Sequence, residues 1–126
     1  METALREAEE EIALDQGAPR IIGELDHLST VTSGSVIVPY VAELVMPPTG
    51  LRPNPAEVDA ILEVRISELL DPAIYREEEW PLFGGWHSIV FFDLGEDVLW
   101  GATAAMMRQL LGIATGTVGR GELGHV

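Results

Sequence analysis

Three carboxylates near the start of the sequence could bind a divalent metal ion together. Glu7, Glu10 and Glu11 lie three and four residues apart. If this stretch is an α-helix, Glu10 and Glu11 lie about −60° and about +40° around its axis from Glu7. Like charges at this spacing destabilise a helix unless something neutralises them. A hard cation such as Mg²⁺, which prefers oxygen ligands, would do so.

A solvated acidic surface is the simpler interpretation of such a helix. The sequence of 126 residues carries 21 acidic and 7 basic side chains, a formal net charge of −14. In a protein of this charge most acidic helices face water. An apolar stripe on a separate side of the same stretch predicts that a helix over residues 2–14 docks on a core. The stripe consists of Ala4, Leu5, Ala8 and Ile12.

The order of residue types in residues 6–14 favours metal binding. Arg6-Glu7-Ala8-Glu9-Glu10-Glu11-Ile12-Ala13-Leu14 resembles the second half of the Nudix box, R-E-U-x-E-E-x-G-U, where U is apolar. Ala13 replaces the glycine of the box, and we expect little cost if its φ is negative. The first half of the box, a glycine loop and a further Glu, would precede Arg6. We therefore expect an N-terminally truncated Nudix domain.

Segments further along the chain extend the resemblance to residues 3–113. In this order they are similar to the coenzyme A pyrophosphatase branch of the Nudix family, which cleaves coenzyme A into phosphopantetheine and adenosine bisphosphate. The segments are Gly23–Asp26, Leu51–Val58, Leu69–Pro72, Phe91–Phe92 and Leu99–Ala104.

The resemblance implies hydrolysis of a diphosphate bond in coenzyme A or a related nucleoside diphosphate derivative, with Mg²⁺ or Mn²⁺ as cofactor. Glu7, Glu10 and Glu11 would be metal ligands, and Glu10 or Glu11 would also orient the attacking water. Arg6 would orient the glutamates through a salt bridge. Because half of the box is missing, we expect weak or absent hydrolysis of coenzyme A by this sequence.

Two alternatives stay open beside this hypothesis. The first is a catalytically impaired Nudix fragment that acts as a binding or oligomerisation module. The second is a Nudix diphosphatase for ADP-ribose or a nucleotide sugar. The missing strands would leave an exposed sheet edge, which favours pairing with a second copy in a homodimer.

Several other side chains could take part in chemistry, and each has a simpler interpretation. Glu57 could be the later-loop base or extra ligand that some Nudix enzymes use, although we favour a solvated acid. His27 and His87 could be general bases, but neither has a partner motif. We expect Trp100 to pack rather than stack on a ligand, and Glu77-Glu78-Glu79 to be a solvated loop rather than a second metal site.

The pattern along the chain predicts the α+β class, a Nudix-like mixed sheet packed between helices without its N-terminal strands. Residues 1–115 would form the partial domain and residues 116–126 a flexible tail. We predict strands at 20–28, 36–45 (with a bulge or a free-edge position at Pro39), 56–66, 88–93 and 98–100. A helical turn capped by Ser67 and a closing helix over 101–113 complete the elements, with loops at 46–55 and 73–87.

Composition excludes several functions and partners. The negative charge disfavours binding to nucleic acids and anionic membranes. The absence of cysteine excludes disulfides and cysteine-based metal sites. No apolar run has membrane-spanning length, and the acidic start is unlike a signal peptide. We therefore expect a soluble cytoplasmic protein whose partner is a small molecule.

Overall fold

Three helices and seven strands make up the described part of the chain, and they confirm the α+β class. The structure is a computed structural model, and it describes residues 1–30 and 33–117. Most of the predicted tail therefore lies outside the described residues. The elements in chain order are α1 (Glu2–Ile12), β1 (Pro19–Glu24), β2 (Leu28–Ser29), β3 (Val36–Ile37), β4 (Tyr40–Leu44), α2 (Ile66–Leu69), β5 (Tyr75–Leu82), β6 (Gly85–Leu94), β7 (Asp97–Trp100) and α3 (Gly101–Thr115).

The first of two compact units comprises Met1–Glu24 and Tyr40–Glu63. It contains α1 and the antiparallel pair β1–β4, in which a register shift occurs between Ile21 and Gly23. The guanidinium of Arg20 forms an ion pair with the carboxylate of Glu43, which lies directly opposite. The residues after β4, up to Glu63, contain no further helix or strand.

The second unit comprises Leu25–Pro39 and the residues from Val64 onward. It contains the short pair β2–β3 and the three-stranded sheet β5–β6–β7. All described pairings in both units are antiparallel, in three small sheets, where the sequence suggested one mixed sheet. The prediction of one strand over 36–45 was wrong, since Val38 and Pro39 separate β3 from β4, and these two strands belong to different sheets.

The apolar core of the second unit lies between α3 and one face of the three-stranded sheet. Val90 and Phe92 alternate on β6 and pack with Ala104 and Leu111 of α3. Phe92 is only 2% exposed. In the same unit the buried side chain of Gln109 accepts a hydrogen bond from the backbone N–H of Asp26 at 2.9 Å, so the segment before β2 is tied to α3.

Residues 73–87 form a hairpin, and the prediction of a loop there was wrong. β5 and β6 meet at a two-residue turn, Phe83-Gly84, with φ of 48° and 78°. Positive φ at both positions is the geometry that matches the twist of a two-residue hairpin. Pro81 is compatible with β5 because β5, among the described strands, pairs only with β6 and forms an edge of its sheet.

The segment 56–66 is not a strand, so that prediction was also wrong. Its alternating pattern marks one side for burial, but a strand exists only where a neighbour accepts and donates its hydrogen bonds. The described residues provide no such neighbour here. The helical turn at α2 is present, but Arg65 is its N-cap, and no side chain caps it, so the predicted Ser67 cap is wrong.

Candidate functional site

Helix α1 carries the predicted metal ligands and ends immediately after them. Ala13 terminates it in a left-handed conformation with φ of 58° and ψ of 31°. The N–H of Ala13 donates to the carbonyl of Glu9 at 2.9 Å, and that of Leu14 to the carbonyl of Ala8 at 3.4 Å. The condition under which Ala13 would cost little, a negative φ, is therefore not met. The glycine of the box corresponds to a position where this backbone needs positive φ.

Arg6 lies beside two of the three candidate ligands. Its Nη2 is 3.6 Å from Oε1 of Glu7, and its Nε is 3.8 Å from Oε1 of Glu10. All three side chains are about half exposed to solvent. The ion pairs expected from the sequence are therefore present, while a catalytic role of Arg6, Glu10 and Glu11 stays a prediction.

The three carboxylates have the donor type that a divalent cation needs, but their side chains are not gathered into a cluster. Glu7 and Glu11 are partly covered and Glu10 is exposed. Among residues 1–30 and 33–117, no group of three His, Cys, Asp or Glu side chains could hold a metal ion as placed. The chemistry of the donors fits Mg²⁺ or Mn²⁺, and binding would require the glutamate side chains to turn toward one point.

The remaining sides of α1 carry Glu9, which is not a candidate ligand, and the apolar stripe. Glu9 lies on a different side of the helix from the three candidate ligands, since it is two residues from Glu7, and it accepts a hydrogen bond from Nε2 of Gln16 at 3.2 Å. The apolar stripe is only partly covered, and no residue of α1 is buried. The predicted docking of this stripe on a core is therefore incomplete.

A loop from far along the chain holds the end of α1. The N–H of Arg52 donates to the carbonyl of Ile12 at 3.1 Å, and that of Asn54 donates to the carbonyl of Glu11 at 2.8 Å. Beside these bonds lies an open cleft of about 350 Å³. Sequence reasoning gave Arg52 and Asn54 no role of their own, although both lie in the segment Leu51–Val58 that carries part of the resemblance and contains the turn-forming Asn-Pro pair. The cleft is lined by Glu9, Glu10, Ala13, Arg52, Pro53, Asn54 and Pro55.

Glu57 belongs to the turn that follows this loop. Its side chain is exposed, and its N–H donates to the carbonyl of Asn54 at 3.0 Å. It does not begin a strand. The turn and α1 lie in the same unit, so Glu57 stays a candidate, and its role is still a prediction.

A second polar cluster lies in the other unit, where a solvated acidic loop was expected. Glu77 on β5 accepts hydrogen bonds from the hydroxyl of Tyr75 and, at 3.2 Å, from Nη1 of Arg108. The hydrogen bond from Tyr75, aided by the charge of Arg108, holds the pKa of Glu77 below its usual value. Burial raises the pKa of Tyr75.

The neighbouring acid Glu78 is also paired, which disfavours a second metal site at Glu77–Glu79. Arg76 lies 3.0 Å from Glu78 and 2.8 Å from Asp93. Its guanidinium also stacks 4.0 Å from the ring centre of Phe91. Trp100 stacks on the ring of Phe91, with 6.2 Å between the two ring centres. Trp100 thus contacts neighbouring aromatic rings while 54% exposed, and its packing role stays a prediction.

Neither candidate histidine belongs to a group of three metal-type side chains among the residues that the structure describes. His27 is exposed, between β1 and β2, and His87 is half-buried on β6 opposite Trp80. A role as general base stays a prediction for both. No described helix has the length and apolarity needed to cross a bilayer.

Comparison with known proteins gives several relatives that share a family name. The chain is 36% identical over 108 residues to "Uncharacterized Nudix hydrolase NudL" of Photorhabdus laumondii, which covers 86% of this chain and 57% of that protein. It is 34% identical over 110 residues to NudL of Yersinia enterocolitica, covering 87% and 55%. It is 36% identical over 115 residues to "Nudix hydrolase 22, chloroplastic" of Arabidopsis thaliana, covering 83% and 36%.

These similarities extend over most of the chain and confirm the resemblance carried by residues 6–14. The chain belongs to the Nudix hydrolase family. It spans about half the length of the bacterial relatives that it matches. No family model matches the sequence.

Proposed function

We propose that the chain provides the metal-binding half of a diphosphatase site that acts on coenzyme A or a related nucleoside diphosphate derivative. The observation that carries the proposal is the placement of the box residues. Arg6 contacts Glu7 and Glu10 on one exposed helix, in a chain related to Nudix hydrolases over most of its length. The order of segments that resembles the coenzyme A pyrophosphatase branch supports this choice of substrate.

Because the protein itself is strongly acidic, it needs a bound cation to bind an anionic diphosphate substrate. A bound Mg²⁺ or Mn²⁺ supplies charge neutralisation and lowers the pKa of a coordinated water. Glu7, Glu10 and Glu11 would hold the cation through carboxylate oxygens. Arg6 restrains Glu7 and Glu10 before binding, and it offsets part of the repulsion among carboxylates three and four residues apart.

Binding of Mn²⁺ alone, followed by electron paramagnetic resonance, tests the metal site directly. We expect the wild-type chain to bind Mn²⁺ and Glu10→Gln to weaken the affinity at least tenfold, since one ligand loses its charge. Glu9→Gln is the matched control, because Glu9 lies on the same helix and bonds to Gln16. Equal affinity in all three proteins would contradict the proposed ligands.

Hydrolysis is measured on the same samples with coenzyme A and Mn²⁺, by chromatography of the nucleotide product. For residues 1–126 assayed alone we expect turnover well below the roughly 1–10³ s⁻¹ of ordinary enzymes, because these residues include only the second half of the box. Turnover within that range that disappears in Glu10→Gln would show the half box to be sufficient. ADP-ribose assayed beside coenzyme A distinguishes the two substrate classes.

A binding or oligomerisation module is the second candidate function. It is favoured by the separation of the carboxylates, which form no metal-type cluster among the described residues. It is favoured also by two sheet edges, since β5 and β7 each pair on one side only among the strands that the structure describes. Light scattering after size-exclusion chromatography would give the mass, and twice the 13.7 kDa of the chain would support a homodimer.

A further inference from the structure

The last turn of α1 is closed by a distant loop rather than by side chains of the helix itself. A helix leaves the carbonyls of its last turn without intrahelical partners. Here the carbonyls of Glu11 and Ile12 accept hydrogen bonds from the backbone N–H groups of Asn54 and Arg52, at 2.8 and 3.1 Å. The side-chain Nδ2 of Asn54 also donates to the carbonyl of Glu10, at 3.4 Å.

Asn54 is the centre of this contact because it also organises its own turn. Its Oδ1 accepts a hydrogen bond from the N–H of Ala56 at 3.2 Å. Its carbonyl accepts from the N–H groups of Glu57 and Val58, at 3.0 and 2.8 Å. Asn54, which is partly buried, therefore fixes a turn and presents two donors, its backbone N–H and its side-chain amide, to consecutive carbonyls of α1.

The two carbonyls belong to Glu10 and Glu11, which carry two of the three proposed ligands. Because α1 buries none of its residues, apolar packing contributes little to the order of its last turn. Few buried contacts and exposed backbone hydrogen bonds are the features of segments that open locally. The loop is then the main restraint on the backbone from which these carboxylates extend.

We propose that Asn54 is a positioning residue for the metal site, which it serves by anchoring the backbone of Glu10 and Glu11. The inference rests on the proposed function, since it requires these glutamates to bind a cation. Groups that orient metal ligands from behind typically change metal affinity by 10–100-fold when they are removed. Asn54 makes no use of its own side chain as a ligand in this role.

Hydrogen exchange on the metal-free chain tests the anchor without reference to metal. In Asn54→Ala we expect faster exchange at the amides of Glu11, Ile12 and Ala13. Asp71→Ala is the matched control, because Asp71 accepts a hydrogen bond from the N–H of Ala73 at 2.9 Å in the same type of turn within the other unit. Unchanged exchange in α1 of Asn54→Ala would overturn the inference whatever the metal does.

Mn²⁺ binding to the same variants tests the positioning role. We expect Asn54→Ala to weaken Mn²⁺ affinity about tenfold and Asp71→Ala to leave it within twofold of wild type. Asn54→Ser is a second variant, since its hydroxyl can accept from the N–H of Ala56 but cannot reach the carbonyl of Glu10. Compared with Asn54→Ala, this variant should restore more of the thermal stability than of the Mn²⁺ affinity.

The outcomes separate the two proposals. Faster exchange in α1 with unchanged Mn²⁺ affinity would show that Asn54 is structural only and would overturn the positioning role. If wild type and Glu10→Gln bind Mn²⁺ equally, the proposed ligands are wrong, and the positioning role fails with them. If the Asn54 variants bind Mn²⁺ as tightly as wild type does while Glu10→Gln binds it more weakly, the proposed metal ligands are supported and Asn54 has no part in the site.

Discussion

The two long helices of this protein are held in place by different forces. Helix α3 buries five of its fifteen residues, among them Ala104 and Leu111 in the apolar core of its unit. Helix α1 buries none of its eleven, and the contacts at its end are hydrogen bonds from Arg52 and Asn54. Apolar burial is the larger source of stability, so the helix with the candidate chemistry depends on weaker restraints.

The difference is consistent with what each helix has to do. Three carboxylates on one arc must reach solvent to meet a cation and a charged substrate, and a buried unpaired carboxylate would be costly. Helix α3 has only to cover a sheet. The comparison teaches that α1 should respond to changes in backbone and hydrogen bonding, while α3 should respond to changes in packing.

The largest effect is expected from a cavity beneath α3. Phe92→Ala removes a ring that is 2% exposed and contacts Tyr75 edge to face at 5.4 Å between centres. Truncating a buried Phe typically costs about 3–5 kcal/mol, and urea unfolding measures the loss. Trp86→Ala is the control, since Trp86 is 72% exposed. Equal losses in both variants would mean that the core does not stabilise this unit.

Sequence reasoning predicted most of this packed unit because burial leaves a periodic pattern. The apolar run at Ile89–Phe92 and the helical spacing in residues 101–113 both predicted their elements. The hairpin of β5 and β6 was missed because Pro81 argues against a strand. Pro81 is acceptable there because β5, among the described strands, lies at the edge of its sheet. Edge position follows from pairing, which the local sequence does not contain.

The sequence predicted the side chains of the candidate site but not the loop that holds their helix. The spacing of Glu7, Glu10 and Glu11 predicted a shared helical face, and the structure places them on one helix. Asn54 was not predictable, since its donors reach carbonyls 43 and 44 residues away. Backbone contacts of this kind leave no pattern in the order of side chains.

A smaller effect, of opposite sign, is expected at the end of α1. Ala13 has φ of 58°, and a left-handed conformation costs a residue with a Cβ about 1–2 kcal/mol. Ala13→Gly removes that cost but increases the entropy of the unfolded chain. We expect a net gain of about 1 kcal/mol, visible as an increase of about 4 °C in Tm.

Gly116→Ala makes the reverse change at the corresponding position of α3, where φ is 73°. It should lower Tm by a similar amount, because the new Cβ meets the same backbone strain. A decrease in Tm for Ala13→Gly would show that α1 does not end in the left-handed conformation.

The smallest effect is expected in the pH dependence of the polar cluster beside α3. The pKa of Glu77 lies below its usual 4.5, chiefly because Tyr75 donates a hydrogen bond to its carboxylate. A lowered pKa in the folded protein stabilises it above the unfolded pKa, and this contribution disappears as pH falls through the folded-state value. Because Glu77 is 45% exposed, solvent screening keeps the contribution small.

Thermal unfolding of wild type and Glu77→Gln between pH 7 and pH 2 measures this contribution. The Tm of wild type should exceed that of the variant above about pH 4.5, and the difference should shrink as Glu77 becomes protonated. Glu79→Gln is the control on the same strand, where the described residues supply no ion pair. A difference that stays constant over the whole range would contradict the role of ionised Glu77. A difference that shrinks for Glu77→Gln alone would show that a hydrogen-bonded carboxylate supports the packed unit, just as hydrogen bonds to the backbone support α1.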